Sequence, residues 1–361
     1  MEAAKYLSLS KKILQNKLAM RGLSNASIFR LDLAVTWKCN SRCNYCKVWE
    51  VYAKNPQAVK KELLKEDYEK LFDQLNINWL HVTGGEPFLK KDLSEILGYA
   101  SEKMNLLIID TVTNGFLGQK IVKEVRNIME AVDCKFTVGV SLDGPSDVHI
   151  KSRGIKNGWN KSVSTFLNIR ELKEEFPNLD AHINHFISPT NIQHFDRFIS
   201  ELKEKSVDIG EVSLDVARYS PFFMNEKVPG IAINHEINRQ KMLLKILKNL
   251  DRMYASSKKK TLRIMLRKKF TQEAINFWIS NKKSIPCYSG YSEILIDPYG
   301  FVYPCSQLKI PVGNIRQDDI KAIMSSQKMK EWREKFHNCQ LCWSGCEGVT
   351  SIIQNLPFSL I

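Results

Sequence analysis

Residues 36–49 read TWKCNSRCNYCKVW, and three thiols, Cys39, Cys43 and Cys46, fall inside this one loop-sized stretch. The run before it, RLDLAV (residues 30–35), alternates apolar and polar residues as a strand does. A strand leading into three thiolates offers one metal centre three soft ligands from a single loop. A four-iron cluster takes four cysteines, so a CxxxCxxC loop with no fourth partner nearby leaves one iron open to a small molecule. Structural zinc is the alternative. Zinc sites, however, close with four ligands built from two paired CxxC or CxxH knuckles, and this loop holds one such pair, Cys43 and Cys46, with a single further thiol.

Further strand ends carry polar turns. HVTGGEPFL (residues 81–89) reads as a strand running into a Gly-Gly-Glu-Pro turn, where Gly84 and Gly85 let backbone approach a ligand and Glu86 adds an acceptor carboxylate. LLIIDTVTNG (106–115) and FTVGVSLDGP (136–145) are apolar runs ending in polar, glycine-containing turns, the composition of buried parallel strands feeding a ligand face. AHINHFIS (181–188) and EVSLDVARY (211–219) give a fifth and a sixth strand. Between strands, Leu64, Tyr68, Leu71 and Leu75 fall at helical spacing, and Val163, Phe166, Leu167 and Phe176 mark another amphipathic stretch. Residues 30–219 therefore read as six βα units of an α/β fold with a parallel sheet.

A second cysteine set follows. In CYSGYSEILIDPYGFVYPC (287–305), alternating apolar residues flank the turn Asp297-Pro298-Tyr299-Gly300, the chemistry of a β-hairpin that holds Cys287 near Cys305. A helical stretch from about Asp318 to Phe336 precedes NCQLCWSGC (338–346), so Cys339, Cys342 and Cys346 bring the available thiols to five. Such pairs serve zinc as well as iron, and a zinc ribbon stays open. Cys134 stands alone on an expected strand and reads as a buried core thiol.

The CxxxCxxC loop followed by GGEP closely resembles the signature of the radical S-adenosylmethionine (radical SAM) enzymes, and the hairpin-then-CxxC order resembles their SPASM and twitch extensions. The resemblance implies a partial (β/α)6 TIM-like barrel with a small C-terminal hairpin-plus-helix iron–sulfur extension. It implies a [4Fe–4S] cluster on Cys39, Cys43 and Cys46, with S-adenosylmethionine on the open iron. The turn Gly84, Gly85, Glu86, Pro87 would bind the methionyl ammonium, Ser141 and Asp143 would meet the ribose and methionyl parts, and Asn114 would lie on the same face. Arg153 would meet the methionyl carboxylate, and Tyr45 would pack near the adenine. Five C-terminal thiols fit the shorter twitch type with one auxiliary [4Fe–4S] cluster. Cys287, Cys305 and the pair Cys339 and Cys342 are its favoured ligands, with Cys346 an alternative fourth ligand or a spare. The implied chemistry is reductive cleavage of S-adenosylmethionine to a 5′-deoxyadenosyl radical that takes hydrogen from an unactivated C–H bond of a peptide, protein, small molecule or lipid. A reductant protein such as flavodoxin or ferredoxin would supply the electron. An RNA-modifying radical enzyme and a non-catalytic iron–sulfur or zinc module are the competing readings, and turnover to 5′-deoxyadenosine separates the last from the rest.

The 361 residues, 43% hydrophobic, are enough for one large domain with an appendage. The expected division is an N-terminal basic amphipathic helix (1–29), the barrel (30–219), a mostly helical insertion (220–284) and the auxiliary-cluster domain (285–361). Nine cysteines in motif groups point to a reducing, cytoplasmic setting. No apolar stretch approaches the roughly 20 residues of a membrane span. The net charge of +14 is largely dispersed lysine, and nucleic acid is not the expected partner. Tyr6, Leu7, Ile13, Leu14 and Leu18 form an apolar set beside Lys5, Lys11, Lys12, Lys17 and Arg21. Such a helix either packs on the barrel, the commoner outcome, or lies peripherally on a membrane surface, as basic amphipathic helices do. Arg239–Met253 is a second basic helical region that keeps the surface reading open.

Overall fold

The structure, a computed structural model, describes residues 2–227, 237–256 and 262–356, without the side chains of residues 237, 256, 262, 263 and 346. It opens with α1 (Glu2–Ala19) and β1 (Arg30–Thr36), then α2 (Glu50–Lys54), α3 (Lys65–Gln74), β2 (Trp79–Gly84), α4 (Leu93–Lys103), β3 (Ile108–Thr113) and α5 (Gln119–Ala131). The alternation continues with β4 (Lys135–Ser141), α6 (Ser146–Arg153), α7 (Gly158–Glu171), β5 (Leu179–Ile187), α8 (Phe195–Glu204) and β6 (Val212–Val216). Two long helices, α9 (Ile237–Ser256) and α10 (Leu262–Ser280), lead to β7 (Glu293–Ile296), β8 (Phe301–Tyr303), β9 (Gly313–Asn314), α11 (Ile320–Ser325), α12 (Gln327–His337) and α13 (Gly345–Asn355).

The six expected strands form the parallel run β6-β5-β4-β3-β2-β1, and the sheet then continues as β7-β8-β9. β7 pairs in parallel with β1, from Arg30↔Glu293 to Leu33↔Ile296, and the hairpin turns back antiparallel from there. The C-terminal extension is thus built onto the barrel's own first strand. The sheet does not close, as a partial TIM-like barrel requires. Alternation decides what each strand does: Leu31 and Leu33, Leu80 and Val82, Phe136 and Val138 are buried in the apolar core, while Asp32, His81, Thr137 and Ser141 line an interior cavity. Helices complete the core through matching stripes such as Ile121, Val125, Ile128 and Met129 of α5.

Some expectations need correction. The N-terminal apolar set does not share a face: Ile13 is buried, whereas Tyr6, Leu7, Leu14 and Leu18 are exposed. Lys12, one of the bases beside that set, is buried and donates to Asn76 O and, at 2.9 Å, to Asn78 Oδ1, just before β2. Asn16 exchanges hydrogen bonds with the Ser27 backbone (2.7 and 2.8 Å), so α1 packs on the barrel. Cys134 lies just before β4 rather than on it, and it is buried. The helical stretch after residue 318 breaks at Ser326, whose hydroxyl caps α12 by accepting from Met329 N. Between β6 and α9, residues 217–227 form a turn-rich strap. No helix among the described residues is long and apolar enough to cross a membrane.

Candidate active site

The loop after β1 is tied down along its length. At its start, one oxygen of the buried Glu62 carboxylate accepts from Thr36 Oγ1 (2.7 Å), Trp37 N (2.9 Å) and Tyr52 OH (2.5 Å). In its middle, Arg42 N donates to Arg153 O and Asn44 N to Ser152 O (both 2.9 Å), so the last turn of α6 carries the loop backbone. Gly154, at φ +67°, permits that approach, since a Cβ there would stand 2.9 Å from Arg42 O. At its end, Lys47 N donates to Phe223 O (2.9 Å) and Asn225 Nδ2 to Tyr45 O (3.0 Å).

Held this way, Cys39, Cys43 and Cys46 all line one cavity of about 820 Å³. Burial, then the charge of Cys43, pushes the Cys39 thiol up to about 12, and the same causes raise Cys46. Adjacent thiols that resist ionising on their own suit a positively charged group, whose binding releases their protons. This donor set fits a cluster. Among the described residues no three His, Cys, Asp or Glu side chains are gathered to the spacing of a single ion; cluster ligands each take a different iron and stand further apart.

Gly84 and Gly85 lie against this loop. Gly85 N donates to Thr36 O and Glu86 N to Lys38 O (both 2.7 Å). A Cβ on Gly84, at φ +129°, would stand 2.3 Å from Thr36 O, and one on Gly85 2.1 Å from Lys38 O. The two glycines are therefore required by the protein's own backbone. Glu86 and Pro87 are buried and do not line the cavity. The Glu86 carboxylate accepts from Thr113 Oγ1 (2.8 Å), Asn114 N (2.8 Å) and Phe88 N (3.3 Å), tying the end of β2 to the end of β3. Burial outweighs these donors and pushes its carboxyl up to about 7.

Tyr45, Asn114, Ser141 and Arg153 do line the cavity, and Asp143 stands just behind it. Asp143, fully buried, accepts from Arg153 Nε (2.6 Å) and Nη2 (3.0 Å) and from Tyr45 OH (2.8 Å). Burial alone would raise its carboxyl, but the Arg153 guanidinium holds it below the usual range. Asn114 Nδ2 donates to Asn40 Oδ1 (2.7 Å), joining the β3 turn to the cysteine loop.

The C-terminal thiols converge elsewhere. Cys305 is raised by burial and by the charges of Glu347, Cys342 and Cys287, and Cys342 by burial, Glu347 and Cys287, so these thiols are neighbours. Lys283 lies among Cys287, Cys342 and Cys339, whose charges keep its ammonium raised against burial. Thiols around a lysine fit an anionic iron–sulfur group. The side chain of Cys346 lies outside the described residues. The cavity that holds Cys39, Cys43 and Cys46 extends to Arg218, Ser306 and Gly345, beside this second cysteine region.

Sequence reasoning missed Glu62, whose role depends on a contact between the start of the cysteine loop and a residue past the next helix. It also missed Glu347, buried and accepting from the Ser306 and Ser344 hydroxyls, although a glutamate beside Cys346 was visible in the sequence. The inward polar residues of β2 and β3, His81 and Asp110, carry no motif that marks them in the sequence beyond strand alternation.

Residues 33–202 match the radical SAM superfamily and residues 287–347 the SPASM iron–sulfur cluster-binding domain. AlbA of Bacillus subtilis (strain 168), an antilisterial bacteriocin subtilosin biosynthesis protein, is 24% identical over 298 residues, 81% of this chain and 58% of AlbA. GTP 3′,8-cyclase of Aquifex aeolicus (strain VF5) is 31% identical over 134 residues, 36% of this chain and 40% of that enzyme. The chain thus spans about half the length of these curated relatives. Among solved structures, Streptococcus suis SuiB bound to its precursor peptide SuiA superposes with a TM-score of 0.59 at 15% identity, over 91% of this chain and 74% of SuiB. The anSMEcpe protein with bound AdoMet and Cp18Cys peptide gives 0.56 at 18%, over 87% and 84%. The chain belongs to the radical SAM superfamily, enzymes of a [4Fe–4S] cluster and S-adenosylmethionine, and carries a C-terminal SPASM-type domain for auxiliary iron–sulfur binding.

Proposed function

We propose that this enzyme oxidises or cross-links a peptide or protein substrate at an unactivated C–H bond. The observation that carries the reading is the single cavity that runs from Cys39, Cys43 and Cys46 to Ser306 and Gly345, so one bound substrate can face both cysteine regions. Its volume of about 820 Å³ lies toward the upper end of the roughly 300–1,000 Å³ of small-molecule pockets, which leaves room for a substrate group beside a nucleoside. The relatives AlbA and SuiB, one named for bacteriocin biosynthesis and the other solved with a precursor peptide, support a peptide over other substrates.

Cys39, Cys43 and Cys46 would hold the catalytic cluster, and four of the C-terminal thiols an auxiliary one. When bound, the cluster and S-adenosylmethionine together supply a 5′-deoxyadenosyl radical that removes a hydrogen atom. The chain's own residues do the rest. Gly84 and Gly85 keep the turn's backbone close to the cysteine loop, and Arg153, fixed by Asp143, presents a guanidinium to an anionic group. Tyr45 offers its ring as an apolar wall, and the aromatic cluster Phe186, Phe222 and Phe223 excludes water above it. Asn114 and Ser141 offer polar contacts at the strand ends, where sites on barrels of this kind sit.

The test is anaerobic reconstitution with iron and sulfide, then dithionite, S-adenosylmethionine and the small-peptide fraction of the host. Formation of 5′-deoxyadenosine together with a peptide that loses two hydrogens by mass is the expected result. Cofactor cleavage with a changed small molecule or lipid and no changed peptide would overturn the substrate class.

A further inference from the structure

Below the Gly84–Gly85 turn the cavity has a charged floor. His81 Nδ1 donates to Asp110 Oδ2 (2.6 Å) across paired positions of β2 and β3, and Trp79 Nε1 donates to Asp110 Oδ1. A carboxylate only accepts, so Nδ1 carries the proton in this contact and Nε2 is the ring atom left for the cavity that His81 lines. At a strand rise of about 3.3 Å per residue, His81 stands about 10 Å beneath Gly84. That is under the cofactor turn rather than against it, in the space a substrate would fill.

The layer itself is unusual. Asp32, His81, Asp110, Thr137 and Asp180 are register neighbours across five strands, where TIM-type barrels stack Val, Ile and Leu. Burying ion pairs costs desolvation that their attraction seldom repays, so packing does not explain the arrangement. The groups facing His81 are Asp110 from β3 and Asp32 and Arg30 from β1, with Trp79 on its own strand. Burial disfavours the charged imidazole and Arg30 adds to that, but Asp110 and then Asp32 outweigh both and hold His81 above the ordinary histidine range. An imidazole oriented by a carboxylate, with its second nitrogen open to a cavity, is equipped for acid–base work.

We infer that His81, oriented by Asp110, is the acid–base group of the reaction chamber and exchanges a proton through Nε2 with the peptide held beneath the cofactor. In the oxidation, the substrate carbon radical gives one electron to an oxidised iron–sulfur cluster and the proton of the neighbouring N–H or C–H bond to Nε2. A C=N or C=C bond forms, and the imidazolium remains paired with Asp110. The inference rests on the peptide-oxidation reading above.

Two experiments on the reconstituted holoenzyme decide it. Diethyl pyrocarbonate acylates neutral, accessible imidazoles and needs no substrate. Peptide mass spectrometry should find His81 labelled, with a half-maximal rate at a pH above that of an ordinary histidine, and Asp110→Asn should move this pH down. Failure to label at alkaline pH, or an identical profile in Asp110→Asn, overturns the assignment. With the small-peptide fraction, His81→Gln should lower product formed per 5′-deoxyadenosine by about tenfold or more and abolish the pH dependence of that ratio; an unchanged ratio overturns it. Should His81→Gln not fold, Asp110→Asn carries the same ratio test. If the wild type alters no peptide, the substrate reading fails, while the labelling experiment still judges His81.

Discussion

Gly85→Ala tests how the Gly84–Gly85 turn and the cysteine loop are joined. The added Cβ would stand 2.1 Å from Lys38 O, 2.7 Å from Lys38 C and 2.9 Å from Trp37 O, all backbone atoms with no flexible side chain to yield. Ordinary contact begins near 3.4 Å, so the Lys38 carbonyl must retreat by about 1.3 Å. That breaks the bond it accepts from Glu86 N at 2.7 Å. Overpacking costs about 1–3 kcal/mol and the lost hydrogen bond about 0.5–1.5 kcal/mol. Lys38 precedes Cys39, so the same movement carries a thiol, and a misplacement of about 1 Å can cost about 100-fold in rate. The assays are thermal unfolding of the metal-free protein and 5′-deoxyadenosine formation by the reconstituted one. Gly118→Ala is the control, because its φ of +53° is strained for alanine yet no atom lies within 4 Å of the new Cβ. It should lose about 1 kcal/mol and keep its rate. If Gly85→Ala melts with the wild type and turns over within about twofold of it, the close approach is not what positions the loop, and the reasoning fails.

Other perturbations probe the remaining parts. Cys43→Ala, with the auxiliary site loaded, should form no 5′-deoxyadenosine under dithionite; near wild-type turnover would remove Cys39, Cys43 and Cys46 from the catalytic role. Iron analysis should give about eight irons per chain, and about four in a triple alanine variant of the barrel cysteines; zinc in place of the second four would mean a structural ribbon. Asp143→Asn leaves the buried Arg153 without its charge partner and should cost about 3–5 kcal/mol, read by denaturant unfolding, with weaker S-adenosylmethionine binding in equilibrium dialysis. Lys12, buried and lowered to about 8, is protonated more readily in the unfolded chain, so stability should rise with pH between about 8 and 10.5. At about 1.4 kcal/mol per pKa unit the gain is about 3 kcal/mol, and the difference between wild type and Lys12→Met measured across that window should show it; a flat difference would contradict the burial.

The six strands and the position of each motif at a strand end were readable because parallel strands feeding a site have a strong local pattern: apolar alternation ending in Gly, Asn or Asp. The closeness of the glycine pair to the cysteine loop was not readable, because GGEP says that side chains are absent and not what comes near. Arg153 and Asp143 were both singled out as ligand contacts, yet their bidentate pairing with each other depends on how α6 returns over β4. The attachment of β7 to β1 is illegible in the sequence for a similar reason. A hairpin's sequence fixes its own turn, but pairing with a strand some 260 residues earlier is decided by which edge of the sheet lies open. Helical spacing groups Lys12 with the other bases beside the apolar set and cannot show that the Asn76 carbonyl and the Asn78 amide oxygen offer its ammonium a buried site.

The strap over residues 217–227 explains how the two cysteine regions come to share a cavity. Asn225, fully buried, donates through Nδ2 to Tyr45 O (3.0 Å) and Arg218 O (3.2 Å) while its Oδ1 accepts from Ser220 N (2.8 Å). Ser220 Oγ in turn donates to Ser306 O (3.2 Å), next to Cys305, and Glu226 pairs with Lys309 at 2.5 Å. On the other side Phe223 O accepts from Lys47 N, next to Cys46. The backbone beside Cys46 and the backbone beside Cys305 are therefore held by one short segment with one buried amide at its centre. A buried amide satisfied on both its nitrogen and its oxygen has little freedom to turn. Loss of these hydrogen bonds would leave polar groups buried, so the strap ties the backbone at Tyr45 and Lys47 to that at Ser306.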